Sequence, residues 1–519
     1  MPNYLTPGVY VEETSSGIKP IQGVGTATAA FVGFTAKGPV HEAVLITSWD
    51  QYNSVFGEFI ADAYLPQAVY GYFQNGGGNA YIVSLGDGAA TAHETPALAP
   101  AQVRGELPAP AGDRPALAVA LVKSDAGEGA PTVTVEVQDA GEGADDAFKL
   151  VVSQDGQVAE VYDNVTVKRG PSHVTTALRK SALITLEEIK GATLARPATG
   201  AKVSLTPART PVPVTSGRLD PTEFIGDAAE RSGLSGLEAI DDITMVAVPD
   251  LMAAYRSGTI DAEGVKAVQS ALIAHCELMG DRVAILDPLP GLKAQHVREW
   301  RQDFSGFDSK YAALYWPWIK VMNPVTKRPD FLPPSGHMAG VWSRNDATRG
   351  VHKAPANEVI RGALALEVAA TKGEQAVLNP LGVNCLRIFP GQGVRVWGAR
   401  TLSSDPEWRY LNVRRLFNYV EKSILDGTNW VVFEPNNEHL WNGVERTASM
   451  FLTRVWRSGA LFGRTPEEAF FVRCNADNNP PENRDAGVLT VDIGIAPVKP
   501  AEFVVFRLSQ FAQGSSLNE

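Results

Sequence analysis

The sequence predicts a multidomain α/β (α+β) protein: mixed sheets flanked by helices, a β-rich insertion, and a strand-like segment at either end. Three observations carry this prediction. The nearly continuous apolar runs "ITMVAVPD", "DRVAILDPLPG" and "KYAALYWPWIKV" alternate with amphipathic stretches, the rhythm of a mainly parallel sheet with helical crossovers. Over residues 91–216 alanine, proline and glycine increase, and short strand-like pieces are separated by Gly and Asp turns. Finally, "GVYVEE" at 8–13 and "KPAEFVVFRLSQF" at 499–511 are rich in β-branched and aromatic residues yet have no adjacent strand to pair with.

Taken in order, residues 1–22 form an N-terminal arm, a strand at 8–13 followed by the flexible "TSSGIKPIQG". Residues 23–90 then supply strands, a short helix, and "PQAVYGYFQNGGGNAYIVSLG", which reads as a helix over about 66–74, a left-handed cap at Gly76 and a strand at 80–85. The glycine triplet follows a helix and precedes a strand, the reverse of a phosphate loop. This stretch joins 217–350 as a middle α/β domain, in which "DAEGVKAVQSALIAHCELMG" and "LKAQHVREWRQDF" are helices. Residues 351–500 form a C-terminal domain with helices in "PEWRYLNVRRLFNYVEKSILDG" and "NEHLWNGVERTASMFLTRVWRSGALFG", each stopped by glycine, and a strand in "AFFVRCNADNN". Residues 501–519 are a C-terminal arm strand.

The 519 residues exceed what one hydrophobic core usually organises. A net charge of -12 spread along the chain argues against general affinity for nucleic acid. No apolar stretch approaches the roughly 18 residues of a membrane span. No basic region followed by an apolar core opens the chain, so a soluble protein made in the cytoplasm is expected. Cys276, Cys385 and Cys474 are odd in number and widely separated, so neither a structural disulfide nor a zinc knuckle is expected.

Chemistry-bearing spacings are missing from the sequence. It has no GxxxxGK[ST] loop, no HExxH, no GxSxG and no EF-hand loop, so no catalytic residue, cofactor or metal site is expected. Asp250 and Asp287 close the runs "VPD" and "LDP", where α/β enzymes often carry their chemistry; an Asp beside proline also caps helices and turns. "GVWSRNDATRGVHKAPAN" gathers Arg344, Asp346, Arg349, His352 and Lys353 in an expected loop, either an anion site or an ion-pair network holding the loop in place.

"PPSGHMAGVWSRNDATRGVHKAPAN", "LNPLGVNCLRIFPGQGVRVWGARTLSSDPEWRYLNVRRL", "GALFGRTPEEAFFVRCN" and "GIAPVKPAEFVVFRLSQF" together resemble the tail sheath proteins of contractile phages and related injection systems. "YLTPGVYVEE" and "FIGDAAERSGLSGLEAIDDITMVAVPD" fit the same family. The resemblance covers roughly residues 1–90 and 217–513 and leaves the insert outside it. One departure is Ser84 in "YIVSLG", where the family pattern has arginine. A single long chain also looks less like the two-protein sheath of type VI secretion than like a phage tail or an extracellular-type injection particle.

The resemblance implies a structural, non-enzymatic subunit that assembles in the cytoplasm as a helical homo-oligomer around an inner tube protein. Baseplate and terminal cap proteins are further implied partners, with no direct contact to nucleic acid and no membrane insertion. It implies that residues 351–500 face inward, that the insert lies outside, and that the arms pair in trans with neighbouring copies through Val9, Tyr10 and Val11 at one end and Phe503, Val504, Val505, Phe506 and Leu508 at the other. Such a sheath contracts from a metastable extended state and drives its tube through a target envelope. Arg446, Arg454 and Arg457 fall within about 80° on one helix face and offer a contact for an acidic tube, or a solvated basic face. The alternatives are an α/β enzyme with a site near Asp250 and Asp287, or a surface-array protein.

Overall fold

The computed structural model describes residues 20–61, 63–86, 104–110, 115–121, 125–126, 133–141, 146–154, 157–168, 170–187, 194–205, 208–209, 219–324 and 326–506. The chain divides into two compact units, Met1–Thr91 with Arg218–Glu519, and Ala92–Gly217.

An eight-stranded sheet organises the larger unit, in the spatial order Ala43–Ile46, Ala80–Ser84, Ala29–Gly33, Met245–Ala247, Val283–Leu286, Ala312–Trp316, Val383–Phe389 and Gly393–Val396. The inner strands run parallel, and the outermost strand at each edge is antiparallel to its neighbour. Ala29–Gly33, Val283–Leu286 and Ala312–Trp316 are buried at every position, as parallel strands covered on both faces must be. Leu314 stands opposite Val383, so the sheet continues past residue 350 and the boundary expected there cuts through one layer. The run "KYAALYWPWIKV" also divides: Pro317 has no N–H to extend a ladder, and Ile319–Met322 leaves for a separate antiparallel sheet with Pro329–Leu332 and Ala363–Leu366.

Helices Leu65–Gln74 and Ser335–Arg349 pack closely together. The second corrects the expectation of a loop over Arg344, Asp346 and Arg349. Its Ser, Gly, Asn and Asp residues have weak helix propensity, but Ser335 to Ser343 are all buried, and tertiary packing overrides that preference. Small residues set the spacing. A Cβ on Gly336 would lie 2.5 Å from the Ala68 Cα, and one on Gly340 would lie 2.4 Å from the Tyr72 carbonyl oxygen. Gly76 has φ +106 just beyond the first helix, and Arg344 from the second donates to the Asn75 carbonyl oxygen at 2.7 Å.

Asp250 is wholly buried where the strand Met245–Ala247 meets the helix Asp250–Ser257. Its carboxylate accepts from the backbone N–H of Phe34 at 2.5 Å, of Leu65 at 2.9 Å, and of Tyr64. It thereby ties the end of one parallel strand to the start of a helix. Burial pushes its pKa up to about 7, against the pull of those three amides.

The smaller unit is β-rich. Ile184–Glu187, Pro115–Leu121 and Arg104–Pro108 form one antiparallel sheet, and Lys202–Leu205, Val133–Asp139, Phe148–Gln154 and Gln157–Val165 form another. Leu107 and Val119 from the first share a core with Val135, Leu150 and Leu205 from the second.

Two stability predictions follow from this packing. Gly340→Ala should destabilise the chain by about 1–3 kcal/mol or more, because backbone and not a movable side chain occupies the space. Asp250→Asn sets an NH2 donor against one of the three amides that the carboxyl oxygens accept and should cost about 1–3 kcal/mol. Thermal or urea unfolding measures both, and wild-type midpoints would contradict these assignments.

Candidate functional site

The C-terminal helices Leu411–Gly427 and Glu438–Arg457 form a second layer. Arg415, inside the first, meets Asp346 of the helix Ser335–Arg349 in a bidentate pair at 3.0 and 2.6 Å, with both side chains 3% exposed. Arg415 also donates to the Thr26 carbonyl oxygen at 2.9 Å and lies 4.8 Å from the Trp342 ring centre. Three separate parts of the chain meet at this one guanidinium.

The N-terminal segment is pinned to the same layer. Val9, Tyr10 and Val11 lie outside the described residues, but Ile21, expected to belong to a flexible linker, is 1% exposed among Val420, Phe451 and Leu452. Arg454 donates to its carbonyl oxygen, and Val24 N–H donates to Ser423 Oγ at 3.1 Å. Gly427 makes room for it: a Cβ there would lie 2.6 Å from Ile21 Cγ1. The chain is therefore anchored from Ile21 onward.

The C-terminal segment has a comparable root. Asn412 donates to the Val498 carbonyl oxygen at 3.1 Å, and Glu502 accepts from Arg400 Nε at 2.9 Å and Nη2 at 2.6 Å. Immediately beyond, Phe503, Val504, Val505 and Phe506 are 76%, 68%, 77% and 85% exposed and pair with no strand among the described residues. Leu508 lies outside the described residues. Four consecutive large apolar side chains thus stand in solvent directly after an anchored carboxylate.

Nearby, Phe470–Arg473 and Asp492–Ile495 form a two-stranded antiparallel sheet with no third strand among the described residues. A groove of about 980 Å³ runs beside it, lined by Ile424, Leu425, Leu440, Val444, Ile493 and Ile495. Phe433, on the same groove, is fully exposed.

Arg446, Arg454 and Arg457 are all exposed along the helix Glu438–Arg457. Arg454 is engaged with Ile21, whereas Arg446 and Arg457 form no ion pair among the described residues. The groups of the enzyme alternative do not converge. Asp250 serves Phe34, Tyr64 and Leu65, and Asp287 accepts from Ser335 N–H at 2.9 Å. Both are enclosed, and burial pushes each up to about 7. Asp346 pairs with Arg415, Arg344 caps the helix Leu65–Gln74, and Lys353 pairs with Glu358 at 2.7 Å. Arg349 and His352 line a groove beside Lys499 and Glu502. No group of three or more His, Cys, Asp or Glu able to hold a metal occurs among the described residues. All three cysteines are buried and free. Ser84, singled out in the sequence as a departure from the expected pattern, is buried with its hydroxyl 2.6 Å from Thr35 Oγ1.

Sequence reasoning missed the roots at Ile21 and Glu502. Their partners, Arg454 and Arg400, are 433 and 102 residues away.

Two consecutive family models match the chain: the phage tail sheath protein central domain over residues 230–402, and the phage tail sheath C-terminal domain over residues 403–511. The tail sheath protein of Burkholderia phage BcepMu is 23% identical over 524 residues, covering 97% of this chain and 96% of that protein. The tail sheath protein of Vibrio phage KVP40 is 27% identical over 238 residues, 43% of this chain and only 35% of its own length. Among solved structures, the helical sheath of the anti-feeding prophage in its contracted state shares the fold, with a TM-score of 0.59 at 24% identity over 97% of this chain and 99% of that one. The chain belongs to the phage tail sheath protein family, whose central-domain and C-terminal-domain models together span residues 230–511.

Proposed function

We propose that copies of this chain polymerise helically around an inner tube and contract from a metastable extended state to drive that tube through a target envelope. The observation that carries the reading is the exposed run Phe503–Phe506, together with a two-stranded sheet that has no third strand among the described residues. A segment from one copy adds to the sheet of another, gaining main-chain hydrogen bonds and burying its apolar side chains in the adjoining groove. At about 0.5–1.5 kcal/mol per hydrogen bond, one joint is worth only a few kcal/mol, and a polymer multiplies it. Joining non-identical surfaces builds an open helical filament and not a closed ring.

The N-terminal arm makes the second joint through Val9, Tyr10 and Val11. Residues between it and Ile21 span up to about 3.3–3.6 Å each when extended, so neighbours can rotate and slide without releasing one another. Stored conformational free energy supplies the work. Baseplate and cap proteins close the two ends of the polymer, and Arg446 and Arg457 meet an acidic tube surface.

Removing residues 503–519 should leave a folded subunit that no longer forms striated tubes under negative stain; tubes of normal width would refute the exchange. Arg446→Glu with Arg457→Glu should preserve the melting temperature and weaken sheath assembly on tube protein. Unchanged assembly would remove these arginines from the tube interface.

A further inference from the structure

We propose that the Arg400–Glu502 pair is the mooring through which tension on the C-terminal segment of an assembled polymer passes into the parallel sheet. This rests on the strand exchange proposed above and adds the point at which force enters the body.

The Glu502 carboxylate is held on both oxygens. Oε1 accepts from Arg400 Nε at 2.9 Å and Asn379 Nδ2 at 2.7 Å; Oε2 accepts from Arg400 Nη2 at 2.6 Å and the Tyr410 hydroxyl at 3.2 Å. The two side chains of the pair are only 9% and 19% exposed. Burial raises the Glu502 pKa, but the bonds from Arg400 and Asn379 outweigh it and hold it below the ordinary glutamate range. Lys372, Arg387 and Lys499 line the same groove.

Arg400 is fixed from behind. Its N–H donates to Asn384 Oδ1 at 2.7 Å, and Asn384 Nδ2 returns a bond to the Arg400 carbonyl oxygen at 2.8 Å. Asn384 is wholly buried in the strand Val383–Phe389, whose neighbour is the all-buried strand Ala312–Trp316. Short polar bonds therefore lead from the segment's root to the interior of the eight-stranded sheet.

The anchorage ends abruptly. Ala496 and Val498 are hydrogen-bonded to Ala469 and Ala460, Glu502 is clamped, and Phe503 onward is exposed. A pull along the segment loads two parallel charge-assisted bonds, roughly twice as strong as neutral ones, before it reaches the backbone pairing upstream. Neighbouring copies can thus swing about residue 503 while the root keeps its place.

The test uses the full chain, Glu502→Gln, Gly340→Ala and a 503–519 deletion, comparing the melting of free subunits and the rate of subunit release from preformed polymers in urea. Glu502→Gln subunits are expected to melt a few degrees lower, because Arg400 loses its charged partner, while their polymers shed subunits about tenfold faster and polymers of the similarly destabilised Gly340→Ala do not. Wild-type release rates from Glu502→Gln polymers overturn the mooring, and so does equally fast release from Gly340→Ala polymers, which would make faster release a consequence of lowered subunit stability alone. A deletion variant that still polymerises overturns the exchange and the mooring with it. Loss of polymer in the deletion, together with wild-type behaviour of Glu502→Gln, removes the mooring alone.

Discussion

The buried pair between Arg415 and Asp346 is the contact on which the two layers of the larger unit depend. Withdrawing both charges from water costs several kcal/mol per ion, so the pair is not a simple gain in stability. Bidentate geometry, the Thr26 carbonyl and the face of Trp342 offset that cost only in one relative placement of their elements. The consequence is alignment: the helix against the parallel sheet, the C-terminal helix Leu411–Gly427 and the strap after Ile21 share a single registration.

Two further anchor points, Ile21 and Glu502, are held against the same body. Ile21 is buried between the C-terminal helices, and Glu502 is held by a residue bonded into the sheet. The close helix packing around Gly336 and Gly340 and the amides gathered on Asp250 keep the body from deforming.

Much of the architecture was legible because it is local. The helix over about 66–74 and the strand at 80–85 lie within a residue of Leu65–Gln74 and Ala80–Ser84, since the period and the glycine stop are read from adjacent residues. The helices Leu411–Gly427 and Glu438–Arg457 have clear apolar faces and were equally plain. Ser335–Arg349 was not, because it is packed nearly all round and so lacks a polar face, and its polar residues serve partners far along the chain. The strand pair across residue 350 was hidden for a related reason: composition does not say which edge a strand joins.

From the sequence alone came the alternation of strand and helix, the β-rich insertion, the absence of catalytic spacings, the apolar runs at both ends and the resemblance that located the family. These rest on side-chain chemistry repeated at short range, which a linear reading preserves. Only the tertiary structure decided that Asp250 and Asp287 are sealed braces, that Asp346 belongs to a helix, and that the segments are anchored at Ile21 and Glu502. Each of these depends on what a polar or apolar group meets after folding. The energy of a buried carboxylate or guanidinium is set by its partners, and those partners come from elsewhere in the chain.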